Sequence, residues 1–535
     1  MTETDDAALE AAAATGMALA HWAERQPDVP AVVSQHGDRT FDELNTNANR
    51  MARTLRARGV GEGDGVALMV SNRPEFVEVV AAVQRIGARL TPINWHLTAD
   101  EAAYIVADCG AKAFVADTRF AAVAADAAER VPDASVRLAV GGVVDGFEPY
   151  ADAIAGADGA DLADPVPGTS MLYTSGTTGR PKGVHRSEQP AAPLTGRLFG
   201  YRPGETRHLC TGPLYHAAPL AFSLAMPLNA GVGLVLMDGW SPGETLRLIE
   251  RHGITHSHMV PTMFHRLLAL PDEEREAADV SSLRMVIHGA APCPVHVKRA
   301  IIDWWGPVLV EYYAATEGVG TLVTSEEWLA RPGTVGRAAP GHIRILDPAT
   351  GEDLPAGQVG TVYLRAPAVG RFDYYGDPGK TESSYRGDHY TMGDVGYLDG
   401  DGYLYLTDRS ADLIITGGVN VYPAEVEGEL LAHPAVGDAA VIGVPDDEWG
   451  EFVVAVVELR PGTPASPGTD GSGGSGGSGG SDALAAELIE HCRARLAHFK
   501  CPRRVDFVDR LPRTDSGKLY KRRLREDYRV AVQGR

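Results

Sequence analysis

The sequence has few cysteines and no long apolar run. Its five cysteines are an odd number among 535 residues, and no two have metal-ligand spacing, which argues against a disulfide framework or a zinc site and favours a reducing compartment. No stretch of about 18 apolar residues occurs, so we expect no transmembrane segment. The N-terminus, MTETDDAALE, lacks the basic flank of a signal peptide. These absences predict a cytoplasmic protein.

Positive charge is also in deficit. Acidic residues number 71 and basic residues 49, a net charge of −22, which argues against nucleic acid as a partner. The exception is the segment from residue 492 onward, with 14 Lys and Arg against 5 Asp and Glu. Such a run is either a set of solvated faces or a surface that meets phosphates. The length predicts about two to four structural units.

Apolar β-rich runs alternate with amphipathic stretches through most of the chain. Residues 63–71 precede the helical pattern of 74–88, and AKAFVAD at 111–117 precedes an Ala-rich stretch. This alternation is typical of an α/β fold with a largely parallel sheet. Turn-rich strands follow after about residue 340, and helix and strand patterns mix again from about residue 409. We therefore predict a large domain at 1–408 and a smaller α+β domain at 409–535.

One segment, GSGGSGGSGGS at 471–481, is of low complexity. Its composition predicts a flexible loop. Because a strand pattern precedes it and a helix pattern follows, the loop is predicted to lie inside the last domain. Its strict triplet repeat resembles an engineered replacement of a natural loop, and we assign it no chemistry.

The stretch YTSGTTGRPKGV at 173–184 has the composition of an anion-binding loop. Glycines allow close approach of the backbone, hydroxyls and backbone N–H groups donate, and a lysine adds positive charge. Pro181 and Gly183 flank the lysine, so the string is not the nucleotide P-loop, which needs Gly-Lys-Ser/Thr at a helix start. The candidate phosphate-binding residues are Thr174, Ser175, Gly176, Thr177, Thr178, Gly179 and Lys182.

This loop resembles the signature of the adenylate-forming superfamily, which includes acyl-CoA synthetases, peptide-synthetase adenylation domains and firefly-type luciferases. Further motifs of that superfamily follow in order: Tyr313-Ala314-Ala315-Thr316-Glu317, Met392-Gly393-Asp394, Asp408-Arg409 with Gly417-Gly418, and the PRTDSGK stretch that ends at Lys518. The resemblance covers about residues 17 to 530. It implies parallel α/β subdomains and a distorted β-barrel in the large domain, with a mobile C-terminal domain.

The resemblance also implies a two-step reaction. A carboxylate attacks the α-phosphate of ATP with Mg²⁺ present, and the thiol of coenzyme A then displaces AMP from the acyl-adenylate. Lys518 resembles the lysine that bridges the reacting oxygens. Glu317 resembles the Mg²⁺ ligand and Thr316 the donor to the α-phosphate, although a lone Thr-Glu pair is ordinarily a helix start. His216 resembles the residue at the mouth of the acyl pocket.

The remaining site residues are also implied by the resemblance. Tyr313 would stack on adenine beside a small-residue stretch that contains Gly289, Ala290 and Ala291. Asp394 and Arg409 would bind the ribose. Rotation of the small domain would withdraw Lys518 and bring Gly417 and Gly418 to the reaction centre, where they would line the coenzyme A tunnel.

The sequence departs from the superfamily at Ala411, the hinge position, and at Ala314, where glycine is usual. The predicted function is an acyl-CoA synthetase for a hydrophobic carboxylic acid, of the fatty or aromatic branch and hence of lipid metabolism. The alternatives are a stand-alone ligase that loads a carrier protein, a luciferase-like oxygenase and a non-catalytic relative. His185, His256, His258 and His265 are interpreted as structural. The acyl group stays open, as does the oligomeric state, with a homodimer among the options.

Overall fold

The fold is taken from a computed structural model, which describes residues 3–174, 181–186, 199–368, 370–409, 412–416, 419–446, 450–463, 478–513 and 519–533. Within these ranges no helix combines the length and the apolar character needed to cross a membrane. All five cysteines are free thiols. No group of three or more His, Cys, Asp and Glu side chains in these ranges is placed to hold a metal ion.

The strands are β1 Pro30–Ser34, β2 Arg39–Thr40, β3 Gly65–Met69, β4 Arg89–Pro92, β5 Ala111–Asp117, β6 Val136–Val140, β7 Glu148–Pro149, β8 Thr169–Ser170, β9 Leu172–Thr174, β10 Lys182–His185, β11 Arg207–Cys210, β12 Gly233–Leu236, β13 His256–Met259, β14 Met285–His288, β15 Leu309–Ala315, β16 Gly318–Thr324, β17 Gly336–Arg337, β18 Ile343–Leu346, β19 Gly360–Arg365, β20 Asp373–Tyr374, β21 Tyr385–Arg386, β22 His389–Tyr390, β23 Asp394–Leu398, β24 Tyr403–Arg409, β25 Ile414–Thr416, β26 Val419–Val421, β27 Val436–Asp446, β28 Gly450–Leu459 and β29 Arg504–Val508.

The helices are α1 Glu3–Ala14, α2 Ala18–Arg25, α3 Phe41–Ala57, α4 Pro74–Gln84, α5 Ala99–Asp108, α6 Ala121–Arg130, α7 Tyr150–Ala155, α8 Met226–Asn229, α9 Pro242–His252, α10 Pro261–Leu268, α11 Asp272–Ala277, α12 Val295–Trp305, α13 Ser325–Ala330, α14 Pro378–Ser384, α15 Pro423–Leu431, α16 Ser478–Arg493 and α17 Lys521–Gln533, and a π-helical segment spans Pro219–Ala225.

Local sequence signals explain several helix starts. Thr40, Thr98 and Thr324 form capping boxes with the glutamate three residues on, at the starts of α3, α5 and α13. Each box satisfies two backbone N–H groups that the first helical turn would otherwise leave without partners. Proline occupies the first position of α4, α9, α10 and α15, where its missing N–H costs nothing.

Two sheets carry the parallel α/β architecture. A six-stranded sheet has the order β7-β6-β5-β3-β4-β8, and all its pairs are parallel. A 15-stranded sheet begins β2-β1-β12-β11-β13-β14-β15 with parallel pairs after β1 and continues from β16 onward with antiparallel pairs. Every residue of β3 is buried, as expected of a strand covered on both faces. The predicted α/β class is confirmed.

The C-terminal part forms a separate domain with a five-stranded sheet, β26-β25-β28-β27, in which β29 pairs with β28. The largest sheet ends with β24 at Arg409 and this sheet begins with β25 at Ile414. The predicted boundary at 408 and the mobility of the domain stay predictions. Residues 471–477 lie outside the described ranges, whereas 478–481 open helix α16 instead of continuing the predicted loop.

A buried ion pair joins α12 to β15 close to the end of β14. Lys298 Nζ lies 2.6 Å from Glu311 Oε2, and neither side chain is substantially exposed. The Lys298 ammonium also lies 4.7 Å from the centre of the Trp328 ring. Burial raises the pKa of Glu311, and the nearby ammonium opposes that rise. Because no water can replace either partner at this buried position, removal of one charged group would leave the other as an unpaired buried charge.

We predict that Lys298→Met lowers the free energy of unfolding by about 3–5 kcal/mol, because it leaves a carboxylate buried alone. The double variant Lys298→Met/Glu311→Leu should recover most of that loss, since it removes both charges. Urea unfolding followed by tryptophan fluorescence measures both effects, with Trp328 beside the pair. Equal stability of the single variant and the unmodified protein would show that the pair contributes nothing.

Candidate active site

Thr316 and Glu317 form the tight turn of a β-hairpin. Strand β15 ends at Ala315, β16 begins at Gly318, and these two residues face each other across the hairpin. Close packing requires Gly318, because a Cβ there would lie 2.1 Å from the hydroxyl oxygen of Tyr390. The Thr-Glu pair is therefore not the helix start that such a pair ordinarily indicates. The hairpin projects both side chains from the end of the large sheet.

Two side chains fasten this turn. Arg186 Nη2 donates to the carbonyl oxygens of Thr316 at 3.1 Å and of Glu317 at 2.6 Å. The Tyr374 hydroxyl donates to Glu317 Oε1 at 2.9 Å. Burial, and after it the Glu317 carboxylate, raises the pKa of Tyr374, so the hydroxyl keeps its proton at neutral pH. The contacts hold both the backbone of the turn and the direction of its carboxylate.

The Glu317 carboxylate suits a magnesium ion that is shared with substrate. Mg²⁺ in proteins is commonly held by one or two carboxylates together with substrate phosphates. The structure provides this one carboxylate on a fixed turn, and the described residues hold no cluster of three ligands that would bind the metal alone. Glu317 therefore fits a metal that arrives with a nucleotide.

The described ends of the predicted phosphate loop form an antiparallel ladder. Thr174 pairs with Lys182 across β9 and β10, while residues 175–180 lie outside the described ranges. Lys182 Nζ lies 2.5 Å from Asp377 Oδ2, and hydrogen bonding to this ammonium holds the pKa of Asp377 below its usual range. The ladder thus places a lysine at the mouth of the loop, with an acidic partner beside it.

Strand β20 connects the lysine to the glutamate turn. It pairs with β10, with Tyr374 opposite Val184 and Asp373 opposite His185. Tyr374 binds Glu317, and Asp377, three residues further along, binds Lys182. A single short segment, 373–377, therefore sets the positions of the cation and the carboxylate relative to each other.

Tyr313 and Asp394 form a buried pair. The Tyr313 hydroxyl donates to Asp394 Oδ2 at 2.6 Å, and both residues are buried. Asp394 opens β23 directly after Gly393, whose positive φ of 81° suits glycine. Across the ladder its register partner is Arg409 of β24. The predicted adenine and ribose residues thus meet in one place, although the roles themselves stay predictions.

The stretch Gly289–Ala291 follows β14 and holds an unusual backbone. Ala290 has a φ of 67°, the one positive φ of a non-glycine residue in the described ranges. Such a conformation costs about 1–2 kcal/mol for an L-residue and often marks a functional site. Gly289 lies against Tyr312, because a Cβ there would be 2.5 Å from the Tyr312 carbonyl oxygen. The backbone here is held close to β15, as a surface for a flat ligand would require.

His216 lies on a loop that Asn72 holds in place. Asn72 Nδ2 donates to the carbonyl oxygens of Gly212 and Met237, each at 2.9 Å, and its Oδ1 accepts from the Leu214 N–H at 2.9 Å. The His216 ring is partly exposed and lies 4.4 Å from the Tyr215 ring centre. The π-helical segment Pro219–Ala225 follows directly, and such segments occur frequently at functional sites.

An aromatic cluster joins the π-helical segment that follows His216 to strands β14 and β15. It contains Phe199, Tyr201, Phe222, Val232, Ile287 and Tyr312, with Ala218, Met226, Ala230, Met285 and Ala314 packed at its edge. Ala314 stands where the superfamily usually has glycine, and its methyl group packs against this cluster. Ala218 and Ala314 are partly exposed, so the cluster reaches the surface at these two small residues.

Several predicted residues lie outside the described ranges: Ser175, Gly176, Thr177, Thr178, Gly179, Ala411, Gly417, Gly418 and Lys518. Sequence reasoning missed Asn72, Arg186, Tyr374 and Asp377. Arg186 lies two residues after the quoted signature, and Tyr374 and Asp377 lie in the turn-rich DYYGDPG stretch, but no spacing linked any of them to Glu317 or Lys182. The contacts of the four residues join positions between 57 and 195 residues apart in the sequence.

Comparison with known proteins identifies the family of the chain. A family described as AMP-binding enzyme matches residues 19–372, and its C-terminal domain matches residues 425–518. The chain is 35% identical over 519 residues to a feruloyl-CoA synthase of Amycolatopsis sp, covering 95% of this chain and 97% of that one. It is 31% identical over 525 residues to the fatty acid–[acyl-carrier-protein] ligase ScoC of Streptomyces coeruleorubidus, covering 95% of each chain.

A solved structure is similar over nearly the whole length. The anthranilate CoA ligase AuaEII in complex with anthranoyl-AMP matches with a TM-score of 0.84 and 26% identity, covering 97% of this chain and 98% of that one. The similarity includes both the large part and the C-terminal domain. It confirms the predicted fold class.

We predict that Ala290→Gly and Ala291→Gly differ in stability by about 1–2 kcal/mol in favour of the first, because only Ala290 has a left-handed backbone to relieve. Both variants make the unfolded chain more flexible to the same extent, so that contribution cancels. Chemical denaturation of the two variants measures the difference. Equal losses would mean that the Ala290 backbone carries no strain.

Proposed function

Because the chain belongs to the adenylate-forming AMP-binding enzyme family and is an AMP-forming acid–thiol ligase, we propose that it converts an aromatic carboxylic acid to its coenzyme A thioester. The observation that carries the chemistry is the fastening of the Thr316–Glu317 turn to the strand of Lys182 through Arg186 and Tyr374. Arg186 directly follows β10, the strand of Lys182, and Tyr374 lies on β20, which pairs with β10, so these contacts link the Glu317 carboxylate to the strand that carries the Lys182 ammonium. That arrangement suits a reaction in which two anions must meet.

In the first step, a carboxylate oxygen of the acid forms a bond to the α-phosphorus of ATP, and the bond to the β-phosphate oxygen breaks. The products are an acyl-adenylate and pyrophosphate. Lys182 and the hydroxyl of Thr174 would hold the leaving phosphates, and Thr316 would donate to the α-phosphate. Mg²⁺, held by Glu317, would offset charge on the phosphate oxygens.

Nucleotide binding is proposed to use the pair formed by Tyr313 and Asp394. Tyr313 would lie on the adenine while its hydroxyl positions the Asp394 carboxylate, which would accept hydrogen bonds from the ribose hydroxyls. Arg409 would assist from the neighbouring strand. Gly289, Ala290 and Ala291 would form the other surface of the adenine site, and Lys518 would bridge the reacting oxygens.

In the second step, the sulfur of coenzyme A attacks the acyl carbonyl carbon, and AMP leaves. This step requires Lys518 to withdraw and Gly417 and Gly418 to approach, which is the proposed use of the separate C-terminal domain. His216 would lie at the mouth of the acyl pocket, where it can admit or exclude the acid.

The aromatic substrate class is supported by the aromatic cluster that contains Phe222 and Tyr312. Phe222 and Tyr312 lie 4.8 Å apart between ring centres, and flat rings pack well against such walls. The feruloyl-CoA synthase and the anthranilate CoA ligase, both similar to this chain over nearly its whole length, are named for aromatic acids. A carrier-protein ligase is the second candidate, because ScoC is 31% identical to this chain.

We predict that the protein releases AMP and pyrophosphate from ATP, Mg²⁺ and coenzyme A when given an aromatic acid. A panel of aromatic and fatty acids, assayed for coupled AMP release, identifies the acid. A parallel set with a phosphopantetheinylated carrier protein instead of coenzyme A tests the second candidate. Release of ADP would contradict the mechanism, and turnover with fatty acids alone would overturn the aromatic assignment.

We predict that Tyr374→Phe raises the Mg²⁺ concentration for half-maximal rate by about 10-fold, because a metal ligand loses the hydrogen bond that orients it. Tyr375→Phe is the matched control, since the neighbouring Tyr375 ring instead lies 5.1 Å from the Arg89 guanidinium. Initial rates against Mg²⁺ at saturating ATP measure the effect. An unchanged Mg²⁺ dependence in Tyr374→Phe would mean that Tyr374 does not orient the metal ligand.

A further inference from the structure

The aromatic cluster includes Tyr312, whose hydroxyl pairs with a buried histidine. His258 Nε2 and the Tyr312 hydroxyl oxygen lie 3.0 Å apart in a hydrogen bond. The Phe222 ring stacks on the His258 ring with an interplanar angle of 9° and a centroid distance of 5.6 Å. All three residues are buried. We call Phe222, His258 and Tyr312 the acyl wall.

The acyl wall adjoins the surface at Gly289 that is proposed to bind the nucleotide. A Cβ on Gly289 would lie 2.8 Å from the Tyr312 ring, and Ala314 of the same strand packs against the cluster. Successive residues of a strand face opposite sides, so Tyr313 points to Asp394 while Tyr312 points to His258. An acid whose carboxylate meets the α-phosphate near Thr316, at the end of β15, would extend along the face of that strand that carries Ala314 and Tyr312, towards the acyl wall.

The position of His258 sets the depth of the polar pair. In the ladder between β13 and β14, His258 lies opposite Ile287, two residues or roughly 6.6 Å along the strand from Gly289. Tyr312, the partner of His258, lies four residues or roughly 13 Å along β15 from Thr316. A polar group at the far end of an aromatic acid whose carboxylate lies near Thr316 would approach the level of Tyr312 and His258.

One nitrogen of His258 has no partner among the described residues. His258 is 1% exposed, and its Nδ1 makes no hydrogen bond there. Burial lowers the pKa of His258 to about 3, so the ring is neutral and carries one donor and one acceptor. An unsatisfied buried polar atom costs about 1–3 kcal/mol, and in a native protein it calls for a ligand or a water molecule.

Two other histidines facing the same cluster lack this feature. His208 contacts the Tyr201 hydroxyl at 3.4 Å and Ser223 Oγ at 3.1 Å. His256 contacts Thr255 Oγ1 and the Phe199 carbonyl oxygen, each at 2.8 Å. Both nitrogens of each ring are therefore satisfied by the protein. The unsatisfied Nδ1 distinguishes His258 from these two histidines.

We propose that the pair of His258 and Tyr312 is a specificity determinant that hydrogen bonds a hydroxyl group at the far end of an aromatic acid substrate. This inference rests on the proposed function. A phenolic hydroxyl both donates and accepts, so it matches a neutral imidazole and a tyrosine hydroxyl whichever tautomer is present. An acid without the hydroxyl leaves the buried pair incompletely satisfied, and the enzyme discriminates against it for that reason.

The test compares matched acids in ATP–pyrophosphate exchange: 4-hydroxycinnamate with cinnamate, and 4-hydroxybenzoate with benzoate. We expect kcat/KM to favour the hydroxylated acid of the better pair by at least about 10-fold. In Tyr312→Phe the ratio should fall to about 2-fold or less, mainly through loss of activity on the hydroxylated acid. Tyr201→Phe is the matched control, because it removes a phenolic oxygen that pairs with His208 instead, and it should keep the ratio of the unmodified protein.

The outcomes separate the two proposals. Exchange with aromatic acids but equal kcat/KM for both members of each pair overturns the role of His258 and Tyr312 and leaves the proposed function intact. An unchanged ratio in Tyr312→Phe, with thermal unfolding like that of the unmodified protein, does the same. Exchange with fatty acids and none with any aromatic acid overturns both. If Tyr312→Phe does not fold, His258→Gln, which keeps one polar group, provides the same comparison.

Discussion

The proposed reaction brings a carboxylate against a phosphate, and the repulsion between two anions is the constraint that the site must overcome. The residues proposed to offset this repulsion include Thr316 and Glu317, on the turn between β15 and β16. Arg186 donates hydrogen bonds to the carbonyl oxygens of both residues. Because the guanidinium binds the backbone, the turn keeps its place whatever the side chains bind. Tyr374 then directs the Glu317 carboxylate. Without these contacts the hairpin end would present the same residues in many orientations.

The parts beneath this turn are stiff for identifiable reasons. Parallel strands β11 to β15 run side by side, so their carboxyl ends deliver Gly212, Gly289 and Ala315 to one edge of the sheet. Open α/β sheets bind ligands at that edge. Two sets of buried polar contacts stabilise the segments near this edge. They are the ion pair of Lys298 with Glu311 and the hydrogen bonds of Asn72. Polar groups buried this deeply stabilise one arrangement only, since any shift would leave a donor or an acceptor unpaired.

The two faces of β15 are proposed to contact different substrates. Tyr313 faces Asp394 on the side proposed for the nucleotide, while Tyr312 faces His258 and Phe222 on the side proposed for the acid. In the proposed complex, the alternation of side chains along the strand would keep the two ligands apart, with their reacting atoms near Thr316. Ala314, the next residue of the strand, adds a methyl group where the superfamily usually has glycine, and that methyl group packs against the aromatic cluster. Selection and activation of the acid would then depend on the same strand.

The amino-acid sequence by itself determined the family, the α/β class and most of the residues proposed to react, because ordered motifs and strand–helix alternation are local properties that a linear pattern preserves. It also predicted the change of unit near residue 409. It did not reveal Arg186, Tyr374 or Asp377, or the pairing of His258 with Tyr312. Those contacts join residues between 54 and 195 positions apart, and only the packing of distant segments decides them. A hydrogen bond depends on a few tenths of an ångström, and no spacing along the chain sets a distance of that kind.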